Sequence, residues 1–282
     1  MIISLICLSG CKPKAAGTAK SDIEYKSILL SHFAHFFDNT DNPSSELKVS
    51  FLYPASGLNP ELLEKLQALF VTEFFGENYA GLSPDEAAGK YKEQYLLFYK
   101  EQENLFKEES ERLPDAEHAE HDDDLFDEVS QTAYSYYEMK ENAVKFDNAS
   151  ILSFAVSVEN YSGGAHGSHS YICCNVDLLS GKKIEEKDVF VDGFEARMAA
   201  ILVARLVKDN KLSDAKELEE IGFFSVDEIS PNNNFEINDK GIIYYFNEYE
   251  IAPYAAGLIA VPVSFAELRA LLRPDSMLEA LF

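Results

Sequence analysis

Tyr161-Ser-Gly-Gly-Ala-His-Gly-Ser-His-Ser170 (YSGGAHGSHS) lies between two runs of alternating apolar residues, Ile151–Val158 and Tyr171–Leu178. Two such runs joined by a glycine-rich segment predict a pair of antiparallel strands with a wide tip. Gly163, Gly164 and Gly167 can take positive φ at little cost. The tip is therefore free to present Tyr161, His166 and His169 outward. Phe154, Val156 and Val158 share one face of the first strand, and Ile172, Cys174, Val176 and Leu178 share one face of the second. The hairpin is expected to have one buried and one wetter side.

On the N-terminal side, Leu47, Val49, Phe51 and Tyr53 alternate as a strand, whereas Asp22–Phe37 fits either strand or helix. Asn59-Pro60 opens a helix with a capping side chain and proline at its first position, and its apolar stripe is Leu62, Leu63, Leu66, Leu69 and Phe70. That helix ends near Gly76. Ser83-Pro84-Asp85-Glu86 opens a second helix that runs through Tyr91, Tyr95, Phe98 and Tyr99 to about Glu111, before Pro114. Ser130–Lys145 reads as a strand and Asp147–Ser150 as a turn. On the C-terminal side, Ser180-Gly181-Lys182 is a turn and Asp192 with Glu195 starts a helix carrying Phe194, Met198, Ile201, Leu202 and Leu206. A short helix is expected over Ser213–Glu220. Ile242, Tyr244 and Phe246, then Leu258 and Ala260, alternate as strands, and Ser264–Glu267 opens a closing helix. Strands in hairpins with helices between groups of them predict an α+β fold with mostly antiparallel sheets and helices packed on them. The expected plan is two small domains in tandem, 22–150 with an acidic segment and 151–282.

A chain of 282 residues buries enough surface to need no disulfides. No run of eighteen apolar residues suggests a spanning helix. With 49 acidic and 24 basic residues the formal charge is −25, which repels phosphate backbones and disfavours nucleic acid. The same charge attracts a cationic partner, or simply maintains solubility. Cys173 and Cys174 are adjacent in a strand, point to opposite faces and are badly placed to bond each other; Cys174 falls on the core face. The acid-rich stretch 101–128 reads as a solvated linker. It lacks the turn glycine and alternating ligands of a calcium loop, although His118 and His121 could face one side of a helix.

At the N-terminus, the apolar Ile2–Leu8 leads into Leu8-Ser9-Gly10-Cys11, which resembles a bacterial lipobox. The resemblance implies lipid on the Cys11 thiol, cleavage before it and a membrane-held mature chain. Multiple acyl chains on one residue supply such anchoring, at about 0.8 kcal/mol per buried methylene. Residues 12–20 then form a tether, so 1–21 are read as signal and tether and the chain is expected in the bacterial envelope, outside the cytoplasm.

Further along, Tyr161-Ser162-Gly163-Gly164-Ala165-His166, Tyr171, Asn175-Val176-Asp177-Leu178 with Gly181-Lys182, Asp188-Val189-Phe190 and Tyr249–Gly257 (YEIAPYAAG) occur in order. As a set they resemble the extracytoplasmic domain of unknown function shared by RsiV-type anti-sigma factors and PdaC-type polysaccharide deacetylases, over about 151–272. In RsiV-like members that part is a sensor that binds lysozyme; in PdaC-like ones it precedes a separate catalytic domain. The resemblance implies the binding module alone, held by lipid, without the signalling or catalytic half.

His166 and His169 form a His-x-x-His pair, but on a loop this spacing does not aim both rings at one ion, and the helical zinc-protease pattern is absent. Neither Ser162 nor Ser168 sits in Gly-x-Ser-x-Gly. Tyr249, Pro253 and Tyr254 set rigid aromatic faces beside small residues, a composition suited to a sugar or a protein contact, or to shaping the glycine loop. The ligand-binding candidates are thus Tyr161, His166, His169, Tyr249, Pro253 and Tyr254. No cofactor or resident metal is expected. The first reading is a non-catalytic envelope binding module for a cationic, lysozyme-like protein or for peptidoglycan. The alternatives are a metal-dependent hydrolase centred on His166 and His169, and a structural scaffold.

Overall fold

The structure, a computed structural model, describes residues 20–112, 133–274 and 276–281. Cys11 with the rest of residues 1–19, and 113–132 with Pro114, His118 and His121, lie outside the described residues. The larger sheet has six strands in sequence order: β1 (Glu24–His35), β2 (Ser44–Ser56), β3 (Tyr136–Asp147), β4 (Ile151–Tyr161), β5 (Ser168–Asp177) and β6 (Lys182–Ile184). A smaller sheet comprises β7 (Phe235–Ile237), β8 (Gly241–Phe246) and β9 (Ile259–Ser264). Helices α1 (Pro60–Phe75) and α2 (Pro84–Arg112) join β2 to β3. Between β6 and β7 come α3 (Glu186–Val189), α4 (Glu195–Asp209) and α5 (Glu217–Glu220), and α6 (Phe265–Leu268) follows β9. The fold is α+β, and every strand pair is antiparallel except β2 with β3. That pair is parallel because the α1–α2 crossover returns the chain in the same direction.

The capping residues set both long helices. Asn59 Oδ1 accepts from the Leu62 backbone N–H at 3.0 Å, with Pro60 at the first helical position. At α2, Ser83 N–H donates to the Glu86 carboxylate at 3.0 Å and Glu86 N–H donates back to the Ser83 hydroxyl at 3.4 Å. Such reciprocal bonds satisfy donors that a helix start leaves free. The α1 stripe sits further along than its leucines suggest: Leu66, Phe70, Val71, Phe74 and Phe75 are buried, and Leu62 and Leu69 only partly so. These side chains cover Leu47, Val49 and Phe51 of β2 and Leu152, Phe154 and Val156 of β4. Phe70 stacks on Phe154 with ring centroids 3.9 Å apart. A second core lies under α4, where Met198, Leu202 and Leu206 meet Phe235, Ile237, Tyr244, Phe246, Val261 and Val263.

The hairpin departs from the expected one-sided burial. At its root Ile151 through Val156 are all buried, as are Cys173 through Val176. One face meets α1; the other is covered by β7, which periodicity in β4 could not reveal. Polar residues on that second face are paired, as burial demands. The Ser153 hydroxyl donates to Asn175 Oδ1 at 2.7 Å, and that oxygen also accepts from Ile237 N–H at 3.0 Å. Asn175 Nδ2 donates to Phe235 O at 2.6 Å. A side-chain amide offers the donor and acceptor of a peptide group, so Asn175 stitches β5 to β7 much as a neighbouring strand would. Asn142 does the same at the end of the parallel β2–β3 pairing, bonding both the N–H and the C=O of Leu52 at 2.7 and 2.8 Å.

Other elements shift from expectation. The strand read over Ser130–Lys145 begins at Tyr136, because Ala133 and Tyr134 are helical; 130–132 lie outside the described residues. Asp22–Phe37 resolves as strand β1. The helix read from Asp192 starts at Glu195, and the one over Ser213–Glu220 is a single turn. In β9 the inward residues are Val261 and Val263, whereas Leu258 and Ala260 are exposed: the strand enters one residue out of step with the expected pattern. The boundary expected at 150/151 falls in the turn between β3 and β4, which are paired neighbours in one sheet.

Candidate functional site

The tip of the β4–β5 hairpin meets the turn after β8. The short β6 pairs only with Asn175–Asp177, so among the described residues the outer edge of β5 before that point has no strand beside it. Side chains take its place. Glu248 Oε2 accepts from His169 N–H at 3.2 Å, Asn247 Oδ1 from Tyr171 N–H at 2.7 Å and Asn234 Oδ1 from Cys173 N–H at 2.8 Å. Asn234 Nδ2 returns a bond to Tyr171 O at 2.8 Å. These contacts fix residues 234 and 247–248 against the tip and explain how two distant segments arrive at one place.

Beyond this seam stands an aromatic and imidazole cluster. The His166 ring stacks on Tyr254, centroids 3.9 Å apart at 23°, and its Nε2 lies 3.2 Å from the Tyr249 hydroxyl. Its Nδ1 lies 2.8 Å from Gly167 O. A carbonyl only accepts, so Nδ1 carries the proton and Nε2 accepts from Tyr249. His169 Nδ1 donates to Glu248 Oε1 at 2.7 Å, and its Nε2 is 4.0 Å from Glu159 Oε1. Tyr254 lies 6.1 Å from both His169 and Tyr249 by ring centroids. Partial desolvation, then the carboxylate of Glu248, holds the Tyr254 hydroxyl above its ordinary range. Tyr249 is 56% exposed and takes φ +64°, a left-handed conformation that is costly for an aromatic residue. Its N–H donates to Ala252 O at 3.1 Å, which closes the turn around that conformation.

Of the six sequence candidates, His166, His169, Tyr249 and Tyr254 come together on an exposed surface. Tyr161 stands apart from the Tyr254 ring group: it stacks on Tyr137 and its hydroxyl donates to Gly164 O at 2.9 Å, bracing the glycine loop. Pro253 is exposed and caps the single turn Tyr254–Ala256. Two glycines of the tip are required by space. A Cβ at Gly163, where φ is +90°, would sit 2.9 Å from Ala133 O, and one at Gly167 would sit 2.8 Å from Asn160 O. Glu159, Asn234, Asn247 and Glu248 were not legible as site residues, although Asn247 and Glu248 directly precede the Tyr249–Gly257 motif.

Beside the cluster a groove of about 630 Å³ runs over the open face of the larger sheet, opposite α1. Met139, Glu141, Glu159 and Tyr171 lie along it, with Leu29 at the β1 side and Leu258 at the other. His169 and Glu248 border it, so tip and groove are continuous. Both nitrogens of His166 are engaged within the chain, and His169 turns to Glu248. Among the described residues no three His, Cys, Asp or Glu side chains group to hold a metal ion. The Cys173 and Cys174 thiols are buried, and burial pushes both up, which keeps them protonated and poor nucleophiles.

Residues 187–266 match the sequence model of the DUF3298 family, described as a protein of unknown function. That span contains Tyr249, Pro253 and Tyr254 but not the glycine tip. The crystal structure of a DUF3298 family member from Bacteroides fragilis is similar at 26% identity and a TM-score of 0.82, covering 94% of this chain and 99% of its own. A DUF3298 family protein from Pseudomonas aeruginosa shares the fold at 14% identity and a TM-score of 0.55, covering 93% and 98%. No curated protein matches the chain. Among the described residues no helix is long and apolar enough to cross a membrane.

Proposed function

We propose that this chain is a non-catalytic binding module of the bacterial cell envelope, held to a membrane by lipid on Cys11, whose hairpin tip and adjoining groove take a ligand from outside the cell. The observation that carries this reading is the His166–Tyr254 stack with the Tyr249 bond, which joins segments some eighty residues apart into one exposed aromatic surface. Aromatic faces with rigid backbones give large contact area at low entropic cost, whether the ligand is a sugar or a protein. The charge of −25 favours a cationic protein by long-range attraction. The motif resemblance to RsiV-type sensors points the same way, toward a lysozyme-like partner, with peptidoglycan glycan as the other ligand class.

Calorimetric titration with lysozymes and with soluble peptidoglycan fragments tests the reading. Saturable binding is expected for at least one, weakened tenfold or more in Tyr254→Ala; no binding to either, or affinity unchanged in that variant, would contradict it. Mass spectrometry of the N-terminal peptide checks the anchor, which requires diacylglyceryl mass on Cys11.

A further inference from the structure

β1 is the edge of the larger sheet, and its outer side has no strand beside it among the described residues. Such an edge is a template for another strand, and proteins normally blunt it with charges, proline or a bulge. Here the twelve-residue strand has no proline, and its pairing irregularity is confined to Glu24/Tyr25 at one end. From Ser27 to His35 (SILLSHFAH) there is no Asp, Glu, Lys or Arg, in a chain that carries 73 such residues among 282, 49 acidic plus 24 basic. Leu29 and Phe33, four apart on the open face, are 74% and 62% exposed.

We propose that β1 pairs antiparallel with β1 of a second copy about a two-fold axis through Ser31, extending the larger sheet across the dimer. Within β1 the charge-free part, Ser27–His35, is centred on Ser31, so this register pairs that part of the strand with itself. Directly opposite residues share a face in an antiparallel pair. Leu29 of each copy then lies against Phe33 of the other, and Ser27 against His35. Both contacts are made twice, as an isologous interface requires. Charge decides for this occupant over a cationic strand from elsewhere: a strand stripped of charge offers such a partner nothing, whereas it lets two strongly acidic chains approach without local repulsion.

Sedimentation equilibrium of the folded chain, together with oxidative cross-linking, tests this. A dimer is expected, with the Kd raised at least tenfold in Phe33→Lys, a change on an exposed side chain away from the groove. Ser31→Cys should cross-link to its own copy, because each cysteine faces the other across the axis, while Ser27→Cys, displaced from its own copy, should not exceed the wild-type background. A chain that stays monomeric at hundreds of micromolar, a dimer unaffected by Phe33→Lys, or equal cross-linking at positions 27 and 31 would each overturn the proposal.

Discussion

The root and the tip of the β4–β5 hairpin are built from the same two strands, yet they obey different rules. At the root both faces are covered, every polar side chain has a partner, and Phe154 stacks on Phe70 from α1. At the tip the residues are exposed or half-exposed, held by stacking and by hydrogen bonds to the 247–254 segment, with Tyr249 in a conformation it would not choose alone. The difference separates stability from presentation. On the function proposed above, the root anchors the hairpin, and the exposed side chains of the tip are the ones presented to a ligand.

If that division is right, substitutions should sort by position along the hairpin. Phe154→Ala leaves a cavity between β4 and α1 and should cost about 4 kcal/mol in urea unfolding. A loss below 1 kcal/mol would mean the root is not the anchor. Asn175→Ala strands Ile237 N–H and Phe235 O in a dry seam and should cost about 2–3 kcal/mol. A neutral result would show that the two sheets are joined by apolar packing alone. Tyr254→Ala at the tip should leave the unfolding midpoint unchanged while weakening ligand binding; a large loss of stability would assign the ring to the core instead.

The smallest effect concerns His32 in β1, away from the hairpin. Its Nε2 is buried without a hydrogen-bond partner among the described residues. Burial, then the charges of Lys92 and Lys100, holds the ring below its ordinary value of 6.5. The neutral ring's contribution is therefore complete above about pH 6.5 and is lost as pH falls from there through the lower folded value. Unfolding midpoints between pH 8 and 5 should fall less in His32→Leu than in the wild type. Equal slopes would contradict the assignment.

Much of the scaffold could be read from residues alone. The caps at Asn59 and Ser83, the alternation in β2 and the glycine-tipped hairpin all rest on local rules, and local rules act within a few residues. Aromatic and histidine members of the tip cluster were legible because glycine and proline mark the loops that carry them. What could not be read was set by distant partners. Nothing in β4 announces that β7 will cover its second face. The asparagines that stand in for missing strands look like ordinary loop residues until the edge they complete is known. Glu159 reads as one exposed acid among many, and the parity of β9 depends on how the Tyr249–Gly257 turn consumes residues.

Hydrogen exchange of the chain alone and saturated with a lysozyme or a soluble peptidoglycan fragment reads root and tip in one experiment. Slowed exchange at 161–170 and 247–257, extending no further than the residues along the groove and leaving the root unchanged, is expected. Protection elsewhere on the surface with the tip unaffected would contradict it.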